Sequence, residues 1–545
     1  MHRSEAQDAW VLAGALGLIA LRLVLSSDLS VQIAYSPHDD SLYVERAQYV
    51  LRGEGFGPYD SRILVKYPGL SLWLAAMHTL GVPFLFSVNV VYVAAGLYMA
   101  FAMLRCRVPR LLIVGALAFY LLNPICFGYV WIKVLREPLG TGLFVLILAA
   151  MMHIFRAAEE ARPTWNHLAV LSVAFAFSLF LREDDRLLWG LLALFGAMLA
   201  WRVRHAVPRK AVILVAAAVL APGALAKGYE YSLRSFIERH YGLPIIYELS
   251  EGEYPRLLAA IRSIDTSKDN RMVMATQETL ARLRTEVPAF RPVIDRLPPA
   301  GPRTLSCRIH GVCTEWSNGW MPFWIRDEAY RAGLTPSLVA AQDYYRRVRE
   351  TIEERCREGR FACTPKGKGL VPPMELRWTR AYVAEAWRLI KMAFAPDPNT
   401  VAVPSRTYDV TPELASVYQA VTLTRYASTG WDPTAREEIS PSVLPALRLG
   451  EAGVFRGLAV ALLFFALSAF VYRLASSKPR PLTAFGATAT VFGLYWLLRL
   501  AALSYVAVYM GAFDSRMVFS LYTAGIFLAL PFAAETYALF RGKAD

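Results

Sequence analysis

The sequence predicts a polytopic α-helical membrane protein that carries a mainly helical domain outside the membrane. Hydrophobic residues make up 55% and aromatic residues 12% of the 545-residue chain, which is more apolar than an ordinary soluble enzyme. A helix needs ~20 mostly apolar residues to cross the hydrocarbon core. About ten windows satisfy this rule, namely residues 9–27, 83–104, 110–127, 139–155, 167–181, 187–201, 211–226, 453–472, 482–503 and 517–539.

Positive charges in the short loops predict how the chain is oriented. Lys and Arg accumulate in cytoplasmic loops. Here they accumulate in alternate loops, around 105–110, 156–162, 202–210 and 473–480, and in the C-terminal tail. The pattern predicts cytoplasmic N- and C-termini in a plasma membrane, which in a bacterium is the inner membrane. The first external loop, residues 28–82, then faces the extracytoplasmic side.

The chain divides into three blocks. Residues 1–227 and 451–545 are membrane regions with about seven and about three spans. Residues 228–450, which we call the large domain, are hydrophilic and long enough to form a core of their own. The orientation places the large domain in the periplasm or another extracytoplasmic space.

Two helices of the large domain can be predicted in detail. In "TPSLVAAQDYYRRVRETIEERCREGR", Thr335 is the expected N-cap, Pro336 takes the first helical position, and Gly359 follows the end. In "DNRMVMATQETLARLRTEVPAF", a helix is expected to stop before Pro288. Both segments indicate a mainly helical domain.

Four cysteines lie in the large domain. The predicted orientation places this domain in an oxidising compartment, in which paired cysteines persist. They allow three pairings, and we favour the two local disulfides, Cys307–Cys313 and Cys356–Cys363. Their spacing is not C-x-x-C and no pair of histidines accompanies them, so the pattern does not favour a zinc site.

The net charge of +14 does not require a nucleic-acid partner. Much of the excess lies in the cytoplasmic loops, where it meets anionic lipid headgroups. The sequence shows no basic, aromatic-interleaved soluble domain. It also shows no Ser-His-Asp arrangement, phosphate-binding Gly-rich loop or run of metal ligands.

The stretch "SPHDDSLYVERAQYVLRGEGFGPYD", residues 36–60, places Asp39 and Asp40 shortly after the first span. Either aspartate can cap a helix over 41–52, which Gly53 would end. One carboxylate is enough for a cap, and ionisable groups at membrane depth usually mark a functional site. We therefore expect at least one of the two aspartates to belong to a functional site.

A second interfacial helix is predicted after Pro68, in "KYPGLSLWLAAMHTLG". The two helices would form the floor of a cavity. Further charges are expected at the same level: Lys66, Arg136, Glu137, the run Arg182, Glu183, Asp184, Asp185 and Arg186, and then Arg499 and Arg516. Carboxylates near the mouth of a cavity with cations around it suit an anionic lipid phosphate and a group that must lose a proton.

Four segments resemble the membrane glycosyltransferases of the GT-C fold, particularly the branch of protein O-mannosyltransferases and the lipid A aminoarabinose transferase. "DDSLYVERAQYVL" resembles the acidic segment of their first external loop, and "KYPGLSLWLAAM" is similar to the entry of their second interfacial helix. "LREPLG" resembles the acidic start of their fourth span, and "DSRMVFSLY" an Arg-containing entry to a late span. The resemblance covers roughly residues 1–190 and 496–545, and the large domain departs from it.

The resemblance implies an inverting glycosyltransferase. The donor would be a sugar on a polyprenyl phosphate, and the acceptor an extracytoplasmic glycan, lipid or protein. A carboxylate within ~3 Å of the acceptor hydroxyl would take its proton, and cations would stabilise the departing phosphate. Asp39 or Asp40 would be the base, and the resembling motif favours Asp39.

The other site residues follow from the same resemblance. Glu137 would position the acceptor or, together with Asp40, hold a divalent cation such as Mg²⁺ or Mn²⁺, and the need for a metal stays open. The residues expected to bind the donor phosphate or the rest of the substrate are Lys66, Arg136, Glu137, Arg182, Asp184, Asp185 and Arg516.

Two other functions compete with this interpretation. A transporter or lipid flippase would also place charges in a cavity, but transporters usually show paired halves with interrupted spans, and the sequence shows no such duplication. A scaffold for a sugar- or peptide-binding domain would use the aromatic side chains of Trp316, Trp320 and Trp324. Aromatic residues of this kind more often belong to a core.

Overall fold

The protein is described here from a computed structural model. The described part of the chain is mostly helical. It comprises residues 2–27, 29–33, 38–160, 162, 164–204, 208–265, 271–301, 306–307, 311–364, 371–394, 411–424, 426–427, 483–511 and 518–541.

The N-terminal part of the chain forms a series of helices joined by short connections. Turns of 3₁₀ helix lie at Pro124–Phe127 and Glu183–Leu187. The α-helices are α1 (His2–Ser26), α2 (Asp40–Leu51), α3 (Gly69–Thr79), α4 (Phe84–Arg105), α5 (Arg110–Leu121), α6 (Tyr129–Ile132), α7 (Arg136–Glu159), α8 (Trp165–Ser178), α9 (Leu188–Val203) and α10 (Pro208–Tyr241).

The remaining described elements belong to the large domain and to the C-terminal membrane region. The helices are α11 (Tyr254–Ser263), α12 (Gln277–Glu286), α13 (Arg291–Ile294), α14 (Met321–Arg331), α15 (Leu338–Arg357), α16 (Thr379–Phe394), α17 (Pro412–Thr422), α18 (Ala484–Met510) and α19 (Phe519–Arg541). Four short strands, β1 (Val31–Gln32), β2 (Val273–Ala275), β3 (Trp316–Ser317) and β4 (Tyr426–Ala427), form the parallel pair β1–β4 and the antiparallel pair β2–β3.

The helices are those of an integral membrane protein. Among the described residues, five helices are long and apolar enough to cross a membrane, or six if the bent pair α5–α6 forms one span. Every predicted span except 453–472, which lies outside the described residues, coincides with one of these helices or with a shorter one. The prediction of about ten spans is confirmed only in part, because the apolar parts of α1, α8 and α19 within the described residues are 10–17 residues long.

Helix α7 is the centre of the membrane bundle. Its sequence is apolar on all sides after the first turn, and 89% of its apolar window is buried, as expected for a helix without a polar face. It packs against α4, α8, α18 and α19. At Gly142, an added Cβ would lie 3.0 Å from Val91 and 3.3 Å from the backbone of Tyr92, so this glycine allows the close approach of α4.

A buried arginine supports the break between α5 and α6, where the chain bends by 43°. Arg22 of α1 is fully buried and donates hydrogen bonds to the carbonyl oxygens of Leu121 (2.9 Å) and Cys126 (3.0 Å). Its guanidinium also bonds the side chain of Asn89 at 2.7 Å. A break in a membrane helix frees backbone carbonyls that must find donors within the protein, and Arg22 supplies them.

Helices α2 and α3 form where the two interfacial helices were predicted, while their position at the membrane surface stays a prediction. Gly53 follows α2 with a φ of 75°, as a helix stop requires. Asp39 occupies the N-cap position of α2, but its side chain makes no capping hydrogen bond. Asp39 therefore takes the predicted N-cap position without capping the helix through its side chain, and its carboxylate lies near Lys66.

The large domain confirms most of its local predictions. Both predicted disulfides are present, with S–S distances of 1.93 Å for Cys307–Cys313 and 2.02 Å for Cys356–Cys363. Helix α12 ends before Pro288, as predicted.

The start of α15 is a correction. Ser337, not Thr335, is its N-cap, and it accepts a hydrogen bond from the amide of Ala340 at 3.2 Å. A hydroxyl caps a helix only when it lies two or three residues before a free amide. The chain is still extended at Ser337, so the prediction placed the cap two residues too early.

Candidate active site

The charged residues predicted to form a site meet at one end of the bundle, at the start of α7. Arg136 and Glu137 begin that helix, and Asp40 begins α2. The turn between α8 and α9 brings Arg182 to the same level, and Arg499 reaches it from α18. We call this group, together with the neighbouring Asp39 and Lys66, the outer cluster.

Asp39 and Lys66 form the loosest and most accessible pair of the outer cluster. The Oδ1 atom of Asp39 lies 4.0 Å from the Nζ atom of Lys66. Their side chains are 24% and 20% exposed, respectively. A carboxylate and an ammonium at this distance attract each other without a direct hydrogen bond, and both side chains are partly open to solvent.

Asp40 is paired with a lysine that sequence reasoning left out of the site. Its side chain is fully buried, and its Oδ1 atom lies 3.8 Å from the Nζ atom of Lys133, which is 8% exposed. Lys133 is held at this place by a β-bridge to Gln32. The sequence signal was its position three residues before Arg136, at the same membrane level.

Arg136 is held by Glu183 and lies over the ring of Tyr43. The guanidinium donates to Glu183 at 2.6 Å, and its carbon is 5.7 Å from the centre of the Tyr43 ring. Tyr43 is fully buried, and its hydroxyl has no hydrogen-bond partner among the described residues.

Burial raises the pKa of Tyr43 well above its usual value. Arg136 opposes this shift, while the negative charges of Glu183, Asp39 and Glu137 add to it. Tyr43 is therefore a neutral phenol with a proton to donate. Sequence reasoning missed Tyr43 because tyrosines are common on helices at a membrane interface.

Arg182, Asp184 and Asp185 form a tight network with α7 and α18. Arg182 donates to Asp184 at 2.9 Å and lies 3.5 Å from Glu137. Arg499 contacts Asp184 at 2.5 Å and Asp185 at 3.3 Å. These residues were predicted to bind substrate, and the structure places them in mutual ion pairs that join three helices. Arg516, also predicted to bind the donor, lies outside the described residues.

The two carboxylate oxygens of Glu137 have different surroundings. Its Oε1 atom faces Arg182, while its buried Oε2 atom has no hydrogen-bond partner among the described residues. Asp40 and Glu137 were the expected ligands of a divalent cation. Each faces a cationic side chain of the protein, and no group of three or more His, Cys, Asp or Glu residues able to hold a metal occurs in the described ranges. The need for a divalent cation at these two carboxylates stays a prediction.

His38 is a further residue that sequence reasoning missed. Its ring lies against Phe323 of the large domain, with 4.9 Å between ring centres. Its Nδ1 atom is buried without a hydrogen-bond partner among the described residues. Burial lowers the pKa of His38, and the nearby charges of Asp327, Lys66, Asp39 and Arg62 modify that shift.

The chain was compared with known proteins. No protein-family model matches it, and no curated protein sequence matches it. Among solved structures, ArnT from Cupriavidus metallidurans bound to undecaprenyl phosphate matches with 11% sequence identity over 92% of this chain and 78% of that chain, at a TM-score of 0.28. The apo state of the same protein matches over 97% of this chain with the same identity and TM-score. The overlap is extensive, but the agreement in backbone geometry is low.

Proposed function

We propose that this protein is an integral-membrane inverting glycosyltransferase. It moves a sugar from a polyprenyl-phosphate donor to an acceptor on the extracytoplasmic side, which is a glycan, a lipid or a protein. The observation that carries the proposal is the Asp39–Lys66 pair, an accessible carboxylate 4.0 Å from an accessible ammonium at the end of an apolar helix bundle. The GT-C-like sequence motifs around both residues support it.

The two charges match the two halves of the reaction. The acceptor hydroxyl oxygen attacks the anomeric carbon, and the bond between that carbon and the phosphate oxygen breaks. The carboxylate of Asp39 takes the hydroxyl proton. The phosphate leaves with the bonding electrons, and its growing charge is stabilised by Lys66 and Arg136. A single displacement inverts the anomeric centre.

Asp39 fits the role of base better than Asp40. Asp40 is fully buried beside Lys133, so an acceptor hydroxyl cannot approach it without a rearrangement. Asp39 is partly exposed and makes no helix-capping hydrogen bond. We assign Asp40 the task of holding Lys133 and the start of α2 in place.

The remaining predicted residues divide into two groups. Glu137, with one unpartnered buried oxygen among the described residues, is suited to hold a hydroxyl of the sugar or of the acceptor. Arg182, Asp184 and Asp185 hold α7, α9 and α18 together around the site, while Arg516 is proposed to bind the donor phosphate from the last external loop. The proposal also places the large domain outside a plasma membrane with both termini in the cytoplasm.

The proposal can be tested with the full-length protein in lipid nanodiscs and radiolabelled polyprenyl-phosphate sugars. Asp39→Asn should abolish label transfer or release while leaving donor binding intact, because the amide cannot accept the proton. Asp40→Asn should retain part of the activity. Asp295→Asn, which breaks a surface ion pair with Arg284 in the large domain, is the control and should behave as the wild type.

Each outcome has a clear meaning. Transfer by Asp39→Asn at the wild-type rate would remove Asp39 as the base. If the wild type neither binds nor cleaves any donor, the transferase is wrong. Vectorial uptake of a substrate would then favour the transporter.

A further inference from the structure

The segment between α2 and α3 that carries Lys66 is held from two sides. Residues 61–66 form no helix or strand, so their carbonyl groups need partners from elsewhere. The carbonyl oxygens of Ser61, Arg62, Ile63, Leu64 and Lys66 all accept hydrogen bonds from other parts of the protein. We call this segment the Lys66 loop.

One side of the Lys66 loop is held by α2. Arg46, which is 3% exposed, donates to the carbonyl oxygens of Arg62 and Lys66, the latter at 3.3 Å. The carboxylate of Asp60 accepts hydrogen bonds from the amides of Arg62 and Ile63, both at 2.8 Å. These contacts are local, since all of them come from the first external loop itself.

The other side is held by the large domain. Arg326 of α14 donates from Nε to the carbonyl oxygen of Ser61 at 2.9 Å and from Nη2 to that of Ile63 at 3.0 Å. The amide of Glu248 donates to the carbonyl oxygen of Leu64 at 2.9 Å. The two sides thus bind alternating parts of the same short loop.

The charge of Arg326 is neutralised within this contact. Its Nη1 atom is paired with the carboxylate of Glu248, and both side chains are at most 1% exposed. Tyr59 at 3.1 Å and Gln342 at 2.8 Å also donate to Glu248. A fully buried ion pair contributes little net stability compared with apolar side chains of similar volume. The ion pair matters more because it fixes the direction in which Arg326 donates to the Lys66 loop.

The Lys66 loop also contains a strained residue. Leu64 has a φ of 58°, in the left-handed region that a residue with a Cβ rarely adopts. Strain of this kind, of order 1 kcal/mol or more, persists only when the surroundings impose it. The hydrogen bonds from Glu248 and Arg326 hold the backbone of residues 61–64 around this position, two residues before Lys66.

We infer that Arg326 is a positioning residue, through which the large domain fixes the Lys66 loop so that the ammonium of Lys66 faces Asp39. This inference rests on the proposed function for its catalytic meaning and gives the large domain a role in the reaction. It assigns Arg326 no contact with the substrate. Its effect is on the placement of Lys66, and misplacement of a binding group by about 1 Å can lower a rate by roughly 100-fold.

The test needs a variant that removes the hydrogen bonds without burying an unpaired charge. Arg326→Leu together with Glu248→Gln does this, because the amide oxygen of the new side chain can still accept from Tyr59 and Gln342 while no buried cation is left behind. Arg326→Lys keeps the charge but cannot reach both carbonyl oxygens. Arg349→Met is the matched control, since Arg349 of α15 pairs with Glu253 and Glu353.

Three readouts are measured on the full-length protein in nanodiscs. The first is hydrogen exchange of peptides covering residues 60–67, which should become faster in the double variant, less so in Arg326→Lys and not at all in Arg349→Met. The second is the affinity for polyprenyl phosphate, which should fall in the double variant by at most the roughly 10- to 100-fold expected for losing the charged hydrogen bond of Lys66. The third is the same affinity in a Lys66→Met background.

The Lys66→Met background separates positioning from general stability. If Arg326 acts through Lys66, its loss should cause no further decrease in affinity once Lys66 is gone. An additive decrease would show that Arg326 merely stabilises the protein and would overturn the inference. Unchanged exchange and affinity in the double variant, or in Arg326→Lys if the double variant does not fold, would also overturn it.

Failure of the proposed function would look different. If the wild type binds no polyprenyl phosphate, yet the double variant speeds exchange only in residues 60–67, the contact with the large domain stands as a structural clamp. Arg326 would then have no role in catalysis, because the proposed glycosyltransferase activity would be wrong. Hydrogen exchange therefore reports on the Lys66 loop independently of any donor.

Discussion

The two ends of helix α7 both carry charged clusters, but the clusters differ in burial. At the far end, which we call the inner cluster, Arg105, Arg156, Glu159, Glu160 and Arg202 have side chains that are 11–29% exposed. In the outer cluster, Asp40, Glu137, Arg182 and Arg499 are at most 4% exposed. Only the outer cluster combines buried ion pairs with a loose, accessible pair.

The difference separates two uses of charge at a membrane boundary. Partly exposed pairs at a helix end contribute up to about 1 kcal/mol each and suit the positive rim that faces lipid headgroups. Buried charges are expensive unless they are paired, and proteins retain them where function or a fixed geometry requires them. The inner cluster matches the first use and the outer cluster the second.

The largest expected effect concerns stability. Asp184→Asn leaves Arg182 and Arg499 without their shared carboxylate and should cost about 3 kcal/mol. Glu160→Gln in the inner cluster removes partners of Arg105 and Arg156 but should cost no more than ~1 kcal/mol. Thermal unfolding of both variants in the same detergent measures the difference. Equal shifts of Tm would contradict the contrast between the two clusters.

The next effect concerns donor binding. Lys66→Met should weaken binding of polyprenyl phosphate by ~1.5–3 kcal/mol, which is roughly 10- to 100-fold, because a charged hydrogen bond to the phosphate is lost. Arg105→Met removes a cation from the inner cluster and should leave the affinity unchanged. Equilibrium binding in nanodiscs measures the affinity of both variants for polyprenyl phosphate. Unchanged affinity in Lys66→Met would take Lys66 out of the site.

A smaller effect is expected for two tyrosines. Tyr43→Phe removes a hydroxyl that has no partner among the described residues, so Tm should not fall. Its loss should weaken ligand binding by about 0.5–1.5 kcal/mol if the phenol donates to the ligand. Tyr98→Phe in the inner part of the bundle breaks a 2.6 Å hydrogen bond with His167. That variant should lower Tm and leave binding unchanged, and the opposite pattern would show that Tyr43 does not donate to the ligand.

The smallest effect is a dependence of stability on pH. The folded protein lowers the pKa of His38 below its usual value of 6.5, so the unfolded state binds more protons as the pH falls through 6.5. Stability should therefore decrease between about pH 7 and pH 5. His38→Asn should show a smaller decrease in Tm over this range than the wild type. An identical decrease in both proteins would show that His38 does not titrate differently on folding.

Sequence reasoning predicted the positions of most helices, because runs of apolar residues and helix-end signals are local properties. It predicted both disulfides and the two interfacial helices. It predicted that Asp39, Lys66 and Arg136 share one level of the membrane, since the number of preceding spans sets that level. It did not predict which ion pairs form, because pairing depends on how helices rotate against each other.

Several site features had no local signal at all. Lys133 pairs with Asp40 only because a β-bridge joins residue 133 to Gln32. Arg326 and Glu248 contact the Lys66 loop across more than 180 residues of sequence. The sequence does not show that the hydroxyl of Tyr43 lacks a hydrogen-bond partner among the described residues, because this depends on which side chains pack around it. Contacts between distant segments depend on the packing of the whole chain.

By itself, the sequence determined that the chain is apolar and mostly helical, and it predicted the membrane level of its charges. A long apolar segment is favoured in the hydrocarbon core, and a charged segment is favoured near water. Both preferences hold whatever the details of packing. The tertiary structure decided which carboxylate stays accessible and which is buried. Asp39 and Asp40 are adjacent in sequence, yet a helix turns each side chain by about 100° from its neighbour. One residue therefore faces Lys66 at the mouth of the site, and the other faces Lys133 in the core.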